Sequence, residues 1–505
     1  MNDKGISRRQ SIKIGLGATA VASVGLTGRT CQAGTGATFQ VPLHYWSLKS
    51  LAEKIRARDV SSVEVTRHML GRISSIDGEL KSYQLVTPDQ ALAVAERCDR
   101  EIARGEYRGP LHGVPIGIKD LLYSKGIATI GGMQARAGFV PGFDATVVRR
   151  LADAGAVSLG KLALCEGAML PYHPSLHVPI NPWDATKWSG VSSSGSGVAT
   201  AAGLCFGSIG TDTGGSIRYP SAVNGCVGLK PTYGRVSRYG VFALAESMDH
   251  IGPMTRTVED TVIMFETMAG HDPNDGTTSS IAVPRIARTL DRPIKGMRIG
   301  IDRNYVTHGV DAAVSAALFQ AVQVLSGLGA RVVDVKMPAD LNPDGAWFTI
   351  ATVEAVLANQ DVFPSKANQL GPGFRETLEL GSKITATEYA AACRNRREVA
   401  QRIHNVLSAV DCMICPSMSN PARERIKEPT LLERSEWGRL NERDVFTKPF
   451  NFSGVPTLSV PCGFTKTGLP LSLQLVASRW EEETICRAGY AYERATEWHR
   501  KHPDV

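Results

Sequence analysis

The sequence predicts an α/β protein, a sheet covered on its faces by helices. Three observations carry that reading. Segments with apolar residues three and four positions apart alternate with short apolar, β-branched runs from about residue 48 to 165. "KGMRIGIDR", "VDAAVSAALFQAVQVLSGLGA" and "RVVDVKMP" spell strand, helix, strand. Two β-type runs flank a turn at Gly468 in "GVPTLSVPCGFTKTGLPLSLQLVA". A chain of 505 residues can bury a large core. No sharp linker and no internal repeat divides it, so one domain is expected over 38–505, with a more variable section at about 280–445.

The elements follow in order. "SLAEKIRARDVSSVEVTRHMLGRISSIDGEL" predicts two helices broken around Asp59, the second capped by Ser61 with Glu64 three residues on. "PDQALAVAERCDREIARG" is a helix stopped by Gly105, and "LHGVPIGIKDLL" turns strand-like around Lys119. "DATVVRRLADAGAVSLGKLAL" reads as helix, glycine stop and strand. From Ser192 to Pro231 the chain carries almost no charge beyond Asp212, Arg218 and Lys230, and "SGSGVATAAGLCFG" suits a closely packed small-residue helix. A helical region spans about 351–410, and an amphipathic helix ends the chain.

The first residues differ. "SRRQSIK" followed by "IGLGATAVASVGL" and then small residues has the layout of an export signal, too short and glycine-rich to span a bilayer. Residues 1–37 are therefore expected to be a signal and linker. The paired arginines resemble a twin-arginine signal, which exports folded proteins, although Ser11 stands where that pattern prefers an aromatic. The expectation is a periplasmic or secreted protein, with the cytoplasm as the alternative and no stable membrane insertion after processing.

A net charge of +7, spread without runs, gives no nucleic-acid footprint. Ten scattered cysteines do not form a disulfide framework. Cys412 and Cys415, in "AVDCMICPS", sit in an apolar run that reads as a buried strand and not as an exposed redox motif.

The candidate chemistry narrows by elimination. No H-E-x-x-H occurs, and Pro174 interrupts the one histidine pair with that motif's four-residue spacing, His173 and His177. No dinucleotide or P-loop fingerprint is present, and no serine meets G-x-S-x-G. Ser158 and Lys161 match S-x-x-K by letter, but Gly160 and Val157 oppose the helical turn it needs.

A third opening is a lysine and two serines. Lys119 lies in an apolar run, where an ammonium either finds a carboxylate, Asp120 being adjacent, or loses its proton and becomes a base. Ser192 and Ser216 occupy the region stripped of large side chains. Gly214 and Gly215 let the backbone before Ser216 turn its N–H groups toward one spot. A polar turn residue is the competing account of Ser216.

The stretch Asn181 to Gly240, "NPWDATKWSGVSSSGSGVATAAGLCFGSIGTDTGGSIRYPSAVNGCVGLKPTYGRVSRYG", resembles the amidase signature family. "HGVPIGIKD" precedes it, and "ESMDHIGPMTRTVEDT" and "NFSGVPTLSVPCG" follow in the family's order. The resemblance implies a large mixed central β-sheet covered by helices on both faces. It also implies amide hydrolysis without metal or organic cofactor, with Lys119 as base, Ser192 as bridging serine after a cis peptide, and Ser216 as nucleophile. The amides of Thr213, Gly214, Gly215 and Ser216 would form the oxyanion hole, braced by Asp212 and Arg218.

Two elements depart from the family pattern. Val191 and Ser194 replace glycines, and Met133 ends "TIGGM" where a serine is usual. Met133 and Trp188 are the expected pocket residues, inclining the site toward hydrophobic or aromatic groups. The expected partner is a small-molecule amide, the expected assembly a monomer or homodimer. Alternatives within the resemblance are the glutaminase subunit of a tRNA-dependent amidotransferase and a hydrolase of cyclic or linear amide oligomers or esters.

Overall fold

Every strand expected from an apolar run is a strand in the computed structural model, which describes residues 41–338, 341, 343–426 and 444–505. The expected export signal lies outside the described residues. The strands are β1 (Tyr83–Val86), β2 (Pro115–Lys119), β3 (Val157–Leu162), β4 (Gly207–Asp212), β5 (Val227–Lys230), β6 (His250–Thr255), β7 (Arg298–Ile301), β8 (Arg331–Asp334), β9 (Cys412–Pro416), β10 (Thr457–Phe464) and β11 (Pro470–Val476). They form one sheet in the order β1-β3-β2-β4-β6-β5-β10-β11-β9-β7-β8. It is mixed: β2 runs parallel to β3 and β4, whereas β4 pairs antiparallel with β6 and β10 with β11.

The helices follow their sequence signals. α1 (Leu48–Ala57) stops at Arg58, which takes a left-handed turn, and α2 (Ser62–Leu80) opens on the Ser61–Glu64 capping box. α3 (Pro88–Ala103) and α4 (Thr146–Asp153) turn Ala91, Ala95, Val147 and Leu151 inward. α5 (Ser194–Ala201) is buried at every residue, the consequence of its small side chains, and α6 (Arg218–Asn224) and α7 (Val258–Met268) complete this half. α8 (Ala312–Gly327) joins β7 to β8. The expected helical region is three helices, α9 (Asp344–Ala358), α10 (Pro372–Gly381) and α11 (Ala386–Leu407), with α9 packing against both of the others. α12 (Lys448–Phe452) and α13 (Glu482–Arg494) close the described chain.

Cys412 and Cys415 are buried on β9 with free thiols, and burial pushes both up to about 12. Residues three apart in a strand face opposite sides, so these two cannot pair. Ser158 and Lys161 are likewise separated on β3.

The sequence reading did not assign β4, β5 and β6, the strands at the sheet's centre. All three are buried along their whole length, yet glycine or proline interrupts each of them, at Gly207 and Gly210 in β4, Gly228 in β5, and Gly252 and Pro253 in β6. Gly252 shows why: a Cβ there would lie 1.9 Å from the Leu229 carbonyl oxygen. Strands this closely packed need glycine where backbones meet, which breaks up the continuous β-branched run that marks strands elsewhere.

Candidate active site

Lys119 ends β2 with its side chain wholly buried. Its Nζ lies 2.8 Å from Ser192 Oγ, 2.8 Å from Ser193 Oγ and 2.7 Å from Thr211 Oγ1. Asp120 does not pair with it. Side chains alternate along the strand, and the Asp120 carboxylate sits instead 3.7 Å from Lys161 Nζ. Burial drives the Lys119 amine down to about 7, only partly offset by the more distant acidic groups Cys165, Asp212 and Asp249.

Hydrogen counting then assigns the contacts. A neutral amine has two N–H donors and one lone pair. Ser193 Oγ already accepts from Thr211 N (3.2 Å) and donates to the Thr211 carbonyl (3.2 Å), so toward Lys119 it can only accept. The lone pair is left to Ser192 or Thr211. Once the Thr211 hydroxyl also accepts, Ser192 is the hydroxyl that must give its proton to the lysine.

Ser192 is placed by close packing. The Val191–Ser192 peptide is cis, and Gly190 lies so near Pro220 that a Cβ would stand 2.4 Å from the Pro220 Cα. The two departures from the family's glycines are absorbed locally. Val191 packs against a small cluster of Trp188, Val223 and Ala422, and Ser194 Oγ accepts from the Tyr172 hydroxyl at 2.8 Å.

The loop after β4 carries Ser216. Asp212, fully buried, accepts both Nε (3.0 Å) and Nη2 (2.8 Å) of Arg218, together with Asn451 Nδ2 (2.9 Å). Burial alone would raise this carboxyl, but Arg218 and Asn451 outweigh it and hold it well below the usual carboxylate range. Its oxygens also accept the amides of Gly215 (2.8 Å) and Ile217 (3.0 Å), which clamps the turn on both sides of Ser216.

That clamp corrects one expectation. The Gly215 N–H is turned to Asp212 and is not a free oxyanion donor. The amides of Thr213, Gly214 and Ser216 have no hydrogen-bond partner among the described residues. In a planar trans peptide the C=O and N–H point in opposite directions, so whatever holds the carbonyl aims the next amide. The Asp212 carbonyl accepts from Asn451 Nδ2 and His250 Nδ1, both at 3.2 Å. The Gly215 carbonyl accepts Tyr219 N at 2.7 Å. The Thr213 carbonyl accepts Trp347 Nε1 at 2.9 Å.

Ser216 is half-buried, and its backbone carbonyl accepts Ser193 N at 3.3 Å, which ties the two serine loops together. Its hydroxyl has no hydrogen-bond partner among the described residues, so the Lys119–Ser192 link is closed and the Ser192–Ser216 link is open.

The pocket expectations need revision. Met133 is a core residue, 1% exposed, its sulfur accepting Arg136 Nη1 at 3.4 Å. It does not line the adjoining cavity. Trp188 is also buried, in a small cluster against which Val191 and Tyr219 pack, with the Arg423 guanidinium 4.5 Å over its ring. A cavity of about 310 Å³ lies instead beside Thr211 and Thr213, walled by Leu121, Phe242, Asp249 and Asn274 among others. Asp249 accepts Thr213 Oγ1 at 2.5 Å, and burial raises its carboxyl to about 6. The sequence reading missed Thr211, Ser193, Asn451 and Trp347. The first two lie inside the Asn181–Gly240 stretch and Asn451 opens the quoted "NFSGVPTLSVPCG", whereas Trp347 lies in no quoted motif; Asn451 and Trp347 reach the loop from more than 130 residues away.

The model of the amidase family matches residues 64–486. A putative amidase, AmiD, of Mycobacterium tuberculosis is 43% identical over 464 residues, covering 91% of this chain and 96% of that protein. The A-type subunit of the glutamyl-tRNA(Gln) amidotransferase of a Geobacter species is 39% identical over 484 residues, covering 90% and 98%. Among solved structures, the native peptide amidase of Stenotrophomonas maltophilia superposes with a TM-score of 0.77 at 30% identity, covering 91% and 99%. A 6-aminohexanoate cyclic dimer hydrolase reaches 0.83 at 26% identity, covering 92% and 99%. This chain belongs to the amidase family and is an amidase-type hydrolase acting on carboxamide bonds.

Proposed function

We propose that this amidase works through Ser216 as nucleophile, Ser192 as proton bridge and Lys119 as base. The single observation that carries the reading is a buried amine, pushed down to about 7, whose only close partners among the described residues are hydroxyls. Hydroxyls accept from an ammonium and donate to an amine, so this pocket tolerates both protonation states.

Neutral Lys119 takes the Ser192 proton as Ser192 takes that of Ser216, whose Oγ attacks the carboxamide carbon. Negative charge develops on the carbonyl oxygen, toward the amides of Thr213, Gly214 and Ser216. One such donor is worth about 3 kcal/mol in comparable sites. Lys119, now an ammonium, returns its proton through Ser192 to the departing nitrogen, and the C–N bond breaks. Water then gives a proton to the same relay and attacks the acyl enzyme, releasing the carboxylate and restoring Ser216.

The substrate is a small-molecule amide, and the protein acts outside the cytoplasm by the twin-arginine-like signal in residues 1–37. Assembly as monomer or homodimer and the absence of a nucleic-acid partner complete the proposal. A glutaminase subunit is the second reading, supported by the 39% identity to an amidotransferase component. An export signal opposes it, since such a subunit must meet aminoacyl-tRNA inside the cell. The test is a panel of aliphatic, aryl, peptide and cyclic amides, with glutamine, assayed on wild type and Ser216→Ala. Loss of all turnover in Ser216→Ala, with the fold intact, is expected. Near-normal hydrolysis by that variant overturns the assignment, and glutamine hydrolysis that needs an added partner protein favours the second reading. Cell fractionation tests the location.

A further inference from the structure

We propose that Trp347 is a positioning residue of the oxyanion site, acting through the Thr213–Gly214 peptide; the inference rests on the reading of Ser216 as nucleophile. Trp347 lies on α9, in the variable section, which carries none of the family's motifs before Asn451. Its indole Nε1–H donates to the Thr213 carbonyl at 2.9 Å, which aims the Gly214 N–H the opposite way. The ring also lies flush on the loop. A Cβ on Gly214 would stand 2.8 Å from ring atom Cζ2, 2.9 Å from Cε2 and 3.0 Å from Nε1. Rotating this peptide would break the indole hydrogen bond, so one contact both orients the donor and resists its turning.

The ring is itself held in place. Lys448, the first residue of α12, places its ammonium 4.7 Å from the indole centroid and pairs with Asp344 on α9 at 2.7 Å. Of the three peptides that aim a free amide, one is tied by Tyr219 N, an amide three residues after Ser216, and one by Asn451 and His250. Only Thr213–Gly214 depends on an indole. A glycine peptide has no side chain to fix its plane, so removal of that bond leaves it free to turn.

Trp347→Phe keeps a ring on Gly214 and deletes the N–H. The experiment measures kcat and KM on the best amide of the panel, the inhibition constant of phenylboronic acid, which forms a tetrahedral adduct on a serine hydroxyl, and the melting temperature. Deleting a whole oxyanion donor costs about 10²–10³ in kcat, and a loosened one is expected to cost roughly tenfold or more. KM should stay within about twofold, the phenylboronic acid constant should rise in step with the loss of kcat, and the melting temperature should hold. An unchanged kcat, or a loss carried by KM alone, overturns the inference when Ser216→Ala is inactive. Turnover surviving in Ser216→Ala overturns the nucleophile reading, and this inference with it.

Discussion

Two lysines on neighbouring parallel strands are buried to the same degree and have opposite surroundings. Among the described residues Lys119 on β2 hydrogen-bonds only with hydroxyls. Lys161 on β3 meets the Leu122 carbonyl, the Asp120 carboxylate and the hydroxyls of Ser124 and Thr129. A carbonyl and a carboxylate can only accept, so they favour the ammonium; burial pushes the Lys161 amine down to about 8, and Asp120 offsets part of that fall. Among the Lys119 partners the Ser192 hydroxyl can donate as well as accept, so the amine keeps a partner for its lone pair when neutral. Burial makes both amines candidates for deprotonation, and the partners decide which one can serve as a base.

The comparison breaks most visibly at Lys119 itself. Lys119→Met should reduce kcat/KM by several orders of magnitude while leaving the melting temperature near wild type, because no carboxylate is stranded. A modest loss would point to another base. Lys161→Met should do the reverse. It strands the Asp120 carboxylate in the core, a loss of about 3–5 kcal/mol in comparable buried pairs, with a clear drop in melting temperature and an unshifted pH profile in the folded fraction. A catalytic collapse of folded Lys161→Met would erase the distinction drawn between the two pockets.

The pH dependence sharpens the same point. Lys119 must be neutral to accept a proton, and its amine sits at about 7, so kcat/KM should rise with pH through about 7 and fall away below it. A profile flat from about pH 5.5 to 8.5 would contradict this. The smallest expected effect is at Thr211→Val. Deleting one hydroxyl that accepts from the ammonium removes about 1.5 kcal/mol of support for the charged form. The acid limb should therefore move to lower pH by about one unit. A move upward would mean that Thr211 donates to the amine and that the lone-pair assignment to Ser192 is wrong.

Much of this was legible from local pattern. The capping box at Ser61, the strands around Lys119 and Gly468, and the buried Cys412–Cys415 run all follow from periodicity and turn residues, because those signals act within a few positions. Lys119, Ser192 and Ser216 came from motif resemblance, and the structure brings the first two within hydrogen-bonding distance. Met133 shows the limit. Its type suggested a pocket wall, but which way one side chain faces is set by what packs over it, and Arg136 and the core enclose it. The central strands were hidden for a related reason, their glycines being chosen by close backbone approach and not by strand preference.

The sequence by itself determined the class of fold, most of the outer strands and helices, and the residue types capable of the chemistry. Only the tertiary structure decided that Asp120 belongs to Lys161, that the Gly215 amide is spent on Asp212, and that Trp347 and Asn451 hold the turn before Ser216. The reason is range. Helix and strand preferences are written in residues a few positions apart, whereas proton affinity and amide direction depend on groups that meet only after the chain has folded.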